Sequence, residues 1–249
     1  MIKFKTVQST AFKTAFEVLK DILNDVNIVF TKDSIRITTL DTARSALVDV
    51  TLESENFEEY EYTSDKSQIV VGINVTNMFK LLKTITNNDT LSITISDSEF
   101  LNILISNSGK KCSTSFKLKL LDISEDIIEL PDVDMSVITT IQSLDFQRLC
   151  RDMSNVGTDI EIKRYKNTLK VICNGDFASQ ETEIEVAQEV DKVYQGLYSL
   201  KYLNLFTKAT NMCSFLQLLQ EEENKFLLLK YNVASLGSMS FYLASKTEE

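Results

Sequence analysis

FKLKLLDISEDIIELPD, residues Phe116 to Asp132, decides how this chain is organised. It opens as an alternating strand, turns acidic from Asp122 to Asp126 and closes at Pro131, the one proline among 249 residues. Charges resist burial and proline gives no backbone donor to a ladder, so the run cannot continue as a central strand. It reads as an exposed connector. About half the chain lies on each side, and the halves look alike, which predicts a tandem repeat: one domain over residues 1–117, the connector over 118–134, and a second domain over 135–249. The apolar connector residues Ile127, Ile128 and Leu130 have two readings, packing on the nearest sheet or lining a groove for partner peptides. Isolated apolar loop residues usually pack locally, so the connector taken alone favours the first.

Working outward, STAFKTAFEVLKDIL (9–23) places Phe12, Ala15, Phe16, Leu19 and Ile22 at helical spacing, with Ser9 or Thr10 available as an N-cap. Strands are predicted at Val26 to Phe30, Ser34 to Leu40, Ala46 to Leu52, Glu59 to Tyr62 and Gln68 to Ile73. A second helix, Asn74 to Thr84, precedes strands Thr90 to Ser96, Phe100 to Ser106 and Cys112 to Leu120. After the connector the order recurs. Strand Met135 to Ile141 leads to helix Ser143 to Met153, then strands at Asp159 to Tyr165, Thr168 to Cys173, Glu181 to Ala187 and Lys192 to Gly196. Helix Ser199 to Ala209 precedes the last strands, Ser214 to Gln220, Lys225 to Tyr231 and Ser238 to Leu243. The pattern predicts an α+β fold of two similar domains, each with antiparallel sheets and two helices on one face.

Composition narrows the chemistry. Histidine is absent, which removes the commonest general base and metal ligand together with every Ser-His or Cys-His nucleophile. The six glycines never cluster into a phosphate-cradling loop. No cofactor or metal site is expected: the 36 carboxylates show no converging spacing, and a solvated acidic surface explains them better than a carboxylate-only metal nuclease. Cys112, Cys150, Cys173 and Cys213 are widely spaced and read as buried free thiols in a reducing compartment. MIKFKTVQS lacks the apolar core of a signal peptide, and no run of about 18 apolar residues occurs, so a soluble intracellular protein without a membrane partner is expected.

Positive charge sits on the helices. Lys13 and Lys20, Lys80 and Lys83, Arg148 and Arg151, and Lys201 and Lys208 are spaced three or seven residues apart, each pair on one side of its helix. These eight cations meet four helical carboxylates, whereas the rest of the chain holds 18 cations against 32 carboxylates. Any amphipathic helix needs a wet side, but recurrence in all four helices of a chain of net charge -10 points to a polyanion-facing surface. Spread cations without a recognition helix touch phosphates and leave base edges unread.

LDTARSALVDVTLESENFEEYEY (40–62), NVTNMFKLLK (74–83), KLKLLDI with its later LP, FQRLCRDMSNVGT (146–158) and LKYLNLFTKAT (200–210) together resemble the proliferating cell nuclear antigen family of eukaryotic sliding clamps. The resemblance covers essentially the whole chain in one register. It implies a closed head-to-tail homotrimer encircling duplex DNA, a non-enzymatic processivity factor on which DNA polymerase, the clamp loader and repair proteins dock through short peptides. Its compartment would be the nucleus, or the replication compartment of a virus. It implies subunit edges near Gly109 to Lys117 and Val171 to Glu183, and a peptide groove formed by Leu40, Arg44, Ser45, Leu47, Ile128, Leu130, Pro131, Phe226, Tyr242, Leu243, Ala244 and Ser245. The family usually has histidine at Arg44, a small apolar residue at Ser45, glycine at Glu129 and proline at Phe226 and Ser245. Lys166, read as a solvated lysine on a hairpin tip between Tyr165 and Thr168, falls near the lysine that the family modifies during damage bypass. A clamp-like subunit of a hetero-trimeric checkpoint ring and a monomeric polymerase accessory protein are the alternative assemblies.

Overall fold

The computed structural model describes residues 1–41, 43–96, 99–124, 128, 130, 135–221, 223 and 225–246. The chain divides into a unit of Met1–Thr39, Val48–Leu130 and Asn232–Met239 and a unit of Leu40–Leu47, Pro131–Tyr231 and Ser240–Glu249. Both are α+β, with antiparallel strand pairs and two helices each.

The first unit begins with β1 (Ile2–Thr6), α1 (Ser9–Leu19), β2 (Asp25–Phe30), β3 (Ser34–Leu40) and β4 (Ala46–Glu53). It continues with β5 (Glu59–Tyr62), β6 (Ile69–Asn74), α2 (Val75–Leu82), β7 (Thr90–Ile95), β8 (Phe100–Asn107) and β9 (Cys112–Lys119). One sheet runs in the order β5-β1-β7-β8-β9, and another set of neighbours runs β4-β3-β2-β6. β1 is absent from the strands predicted above, yet it pairs with both β5 and β7 and buries Ile2, Phe4 and Thr6 on one face. The period-2 signal was present in IKFKT but spans only five residues. Phe4 then anchors an aromatic cluster, with ring centroids 5.9 Å from Phe12, 6.3 Å from Phe30 and 5.1 Å from Phe57.

α1 buries Phe12, Ala15, Phe16, Val18 and Leu19 against this core. Each large side chain so buried contributes about 1.5–3 kcal/mol, which holds the helix despite its weak start. Neither Ser9 nor Thr10 caps it: Gln8 occupies the N-cap without a side-chain bond, and the Ser9 hydroxyl instead donates to the Asp89 carbonyl at 2.6 Å. The helix ends at Leu19 rather than near residue 23, because the chain tightens into i→i+3 bonds, Asp21 N–H to Val18 and Ile22 N–H to Leu19. α2 is capped as expected, the Asn74 side chain accepting from the Asn77 N–H at 2.9 Å.

The second unit contains β10 (Val137–Gln142), α3 (Ser143–Met153), β11 (Asp159–Asn174), β12 (Ser179–Ser199) and α4 (Leu200–Phe206). After a 3-10 turn at Thr207–Asn211 come β13 (Phe215–Gln220), β14 (Phe226–Val233) and β15 (Gly237–Ala244), the last two apart from the stretch Asn232–Met239, which belongs to the first unit. Neighbours run β10-β13-β14-β15, and β11 pairs with β12 in a long hairpin. The four short strands predicted between residues 159 and 196 are therefore two long ones, with register shifts on either side of Lys166. Lys166 is paired with Val190 inside β11 and is not at a hairpin tip, a correction to the reading from sequence. Polar Lys-Asn between apolar runs mimics a two-residue turn, but here it forms a bulge in which Lys166 adopts φ 46°.

The thiols also differ from expectation. Cys150 and Cys173 are buried, and burial pushes the Cys150 thiol up to about 12. Cys112 is exposed and Cys213 half-buried, Cys112 because β9 is an outer strand whose first residues are exposed on both faces.

Candidate nucleic-acid interface and peptide groove

In the first unit, α1 and α2 run side by side in opposite directions. The Lys13 ammonium donates to the Ile85 carbonyl just beyond the end of α2 at 3.0 Å, and Lys20 lies over the Phe79 ring of α2 at 5.2 Å while pairing with Asp21 at 2.9 Å. Both are half-buried in that seam, so they brace the helix pair as much as they face water. Lys80 and Lys83 are exposed, Lys80 reaching Asn77 at 3.4 Å.

In the second unit, α3 and α4 are also antiparallel. Gln147 donates to the Thr207 carbonyl at 2.8 Å, and Asn204 donates to the Ser154 hydroxyl at 2.6 Å. This lattice of amide bonds fixes the two helices without using their cations. Arg148, Arg151, Lys201 and Lys208 are all exposed. Arg148 and Arg151 have neighbouring carboxylates at 3.8 and 3.6 Å, Asp145 and Asp152, but such wet pairs are worth about 0–1 kcal/mol and yield readily to phosphate. The chemistry available is diffuse, salt-sensitive attraction for a polyanion. Among the described residues no group of three or more Cys, Asp or Glu side chains converges as a metal site, and no helix is long and apolar enough to cross a membrane.

Of the groove residues, Leu40, Phe226, Tyr242 and Ser245 are half-buried, and Arg44, Ser45 and Ala244 are exposed. Leu47 and Leu243 are 7% and 2% exposed, so they form core beneath the surface rather than its lining. The Ser245 N–H donates to the Lys225 carbonyl at 2.7 Å and the Lys246 N–H to Leu197 at 2.8 Å, which fastens the run after β15 beside Phe226. Ile128 and Leu130 belong to the first unit and are half-buried. Ile127, Glu129 and Pro131 lie outside the described residues.

Two residues that shape this segment were missed from sequence. Asp41, 8% exposed, accepts from the N–H groups of Ala43 at 3.1 Å, Ser45 at 2.7 Å and Ala46 at 2.8 Å, and from the Tyr202 hydroxyl of α4 at 2.8 Å. Burial works against its ionised form, yet the Ala46 N–H, the Tyr202 hydroxyl and the other donors outweigh that and hold its pKa below the usual carboxylate value. Burial, chiefly, raises the Tyr202 phenol. Asp41 thereby organises the turn that displays Arg44, which itself sits at φ 55°. An Asp opening a polar turn is a known self-bonding signal, but nothing in LKYLNLFTKAT announced that Tyr202 would reach it.

The implied subunit edges map onto two strand margins. β9 is the outermost strand of its sheet, and β12 pairs with β11 along its length, with an isolated bridge from Leu197 to Lys246 near its end. The implied segment 171–183 is split by the hairpin, Val171 pairing with Thr182 and Cys173 with Gln180. Unpaired margins of this kind are blunted, covered or continued by another chain.

Two α+β units, each offering a pair of cation-bearing helices, and strand margins open to continuation define a duplicated subunit of clamp type. The N-terminal domain of proliferating cell nuclear antigen matches residues 1–128, and its C-terminal domain matches residues 129–246. The chain belongs to the proliferating cell nuclear antigen family. It is similar to the probable DNA polymerase sliding clamp 1 of Paramecium bursaria Chlorella virus 1, with 35% identity over 258 aligned positions spanning 98% of this chain and 96% of that protein.

Proposed function

We propose that this protein is a DNA polymerase sliding clamp, a non-enzymatic ring that encircles duplex DNA and docks polymerase, loader and repair proteins. The observation that carries this reading is the concentration of exposed cations on helices of both units in a chain of net charge -10. Such a surface attracts phosphate without reading bases. A ring need not bind tightly, because topology prevents escape while weak contacts allow sliding. The acidic remainder disfavours DNA on the outside. The ring is a homotrimer closed head to tail, β9 of one protomer continuing the sheet margin at β12 of the next, which gives a heterologous interface that closes. Peptides of partner proteins occupy the groove bounded by Leu40, Arg44, Ser45, Phe226, Tyr242, Ala244 and Ser245 with Ile128, Leu130 and Pro131 of the connector. The site of action is the nucleus or a viral replication compartment.

The test is topological. Protein placed by a clamp loader on a nicked circular duplex is retained through gel filtration and released when the circle is cut once. Equal retention on circular and linear DNA overturns the encircling ring. Light scattering should give a mass three times 28.3 kDa, and a monomer at every concentration would refute self-assembly.

A further inference from the structure

Arg164 is the largest fully buried side chain among the described residues, 0% exposed in β11, and the sheet pairing around it is irregular. Between the pairs Lys166↔Val190 and Thr168↔Glu185, β11 advances two residues while β12 advances five. A gap of that kind strands backbone carbonyls, and the guanidinium collects them. Its Nη1 donates to the carbonyls of Tyr165, Lys166 and Thr168, its Nη2 to that of Gln188, and its Nε to the Thr139 hydroxyl at 3.2 Å. Every one of these partners is neutral.

A concavity of about 460 Å³ opens at the same irregularity. Its walls carry Lys163, Lys166, Lys170, Lys192 and Asp191, and its apolar lining includes Ile172, Val190 and Val193. Lys170 is engaged by Glu181 and Glu183, and the Tyr165 hydroxyl donates to Glu183 at 3.2 Å. Lys163 and Lys166 flank the buried guanidinium in sequence, and Val193 remains 53% exposed.

We infer that this bulge pocket is a second docking site, separate from the connector groove, for an acidic peptide segment that carries an apolar side chain. Lys163 and Lys166 supply the charge complement, and the valines and isoleucine supply a seat for the apolar anchor. A nucleic-acid backbone would use the lysines and leave that apolar lining wet, so the mixed lining favours peptide. Arg164 is a positioning residue: from the core face of β11 its bonds to the carbonyls of Lys166, Thr168 and Gln188 hold the bulge open. The proposal stands on the second unit alone and does not require the ring.

The experiment is fluorescence anisotropy with the full chain at low salt. The probe is a fluorescein-labelled peptide of acidic residues around one Leu-Phe pair. Saturable binding is expected, and Lys163→Glu/Lys166→Glu should weaken it by about tenfold or more, because like charges then face the ligand. Circular dichroism of that variant should be unchanged. Ile128→Ala/Leu130→Ala should bind the probe as the unaltered protein does. Arg164→Met should also weaken binding, and if it fails to fold, the lysine pair decides. Absence of saturable binding, indifference to the lysine reversals, equal loss in the connector variant, or displacement of the probe by a lower concentration of oligodeoxythymidine than of unlabelled peptide would each overturn the proposal.

Discussion

Replacing Asp41 with alanine should loosen the turn that displays Arg44 and Ser45 while leaving both cores intact. The carboxylate accepts four hydrogen bonds, but they are not equal. The N–H groups of Ala43 and Ser45 belong to exposed residues and can turn to water. Ala46 is 2% exposed, and its N–H would be left without an acceptor, a loss of about 1–3 kcal/mol. The half-buried Tyr202 hydroxyl adds about 1 kcal/mol, giving a total of about 2–4 kcal/mol for Asp41→Ala. Asp41→Asn keeps one side-chain oxygen and should lose less. Amide hydrogen exchange at residues 43–46 measures local opening directly, and urea unfolding by circular dichroism measures the global change. The pH dependence provides a second axis. The folded pKa of Asp41 is lowered, so its contribution is fully present above the unfolded value of about 3.9 and is lost as pH falls through the folded value. Wild type and Asp41→Ala should therefore differ fully at neutral pH, and the difference should start to shrink only as pH falls below about 4 toward the folded value. A change under about 0.5 kcal/mol at neutral pH, with exchange at Ala46 unaltered, would show that the carboxylate does not organise the turn.

Arg148→Glu/Arg151→Glu should lower the slope of log affinity for DNA against log salt by about 0.9 for each phosphate no longer neutralised, with an unchanged circular dichroism spectrum, since both side chains are exposed. Loss of folded structure would refute a purely surface role. Ile128→Ala/Leu130→Ala should abolish binding of clamp-directed peptides and leave DNA retention intact; unchanged peptide affinity would assign both residues to local packing. Gly72→Ala should displace the start of the connector from β6, because the added carbon would lie 2.5 Å from the Leu121 carbonyl oxygen, whose residue donates its N–H to the Gly72 carbonyl at 2.8 Å. Protease cleavage after residue 120 should then accelerate, and equal rates would show that the chain accommodates the methyl group.

The two-unit α+β plan, all four helices and most strands were legible from sequence because each rests on a local pattern: 3.6-residue spacing in SLDFQRLCRDM, alternation in TLSITI, and a polar break between them. The basic helix faces were legible for the same reason, since a helix maps residues three and seven apart onto one side. The sequence also narrowed the chemistry: a chain without histidine has no Ser-His or Cys-His nucleophile, and its unclustered glycines form no phosphate-cradling loop. Where the signal was short or ambiguous, it failed. Five residues were too few to reveal β1, and Lys166-Asn167 looked like a turn because nothing local shows that Arg164, two residues earlier, binds the carbonyls that a turn would have satisfied itself.

Tertiary structure alone decided the long-range polar links. Asp41 and Tyr202 are 161 residues apart and meet at 2.8 Å; Lys13 reaches Ile85, and Thr139 meets Arg164. Hydrophobic patterning declares which face of an element turns inward, because burial is a property of each residue type. Which donor finds which acceptor depends on how the elements pack, and that leaves no periodic trace in the chain. Leu47 and Leu243, read from sequence as groove residues, are buried, and Lys13 and Lys20, read as part of a polyanion-facing helix surface, also reach across to the neighbouring helix.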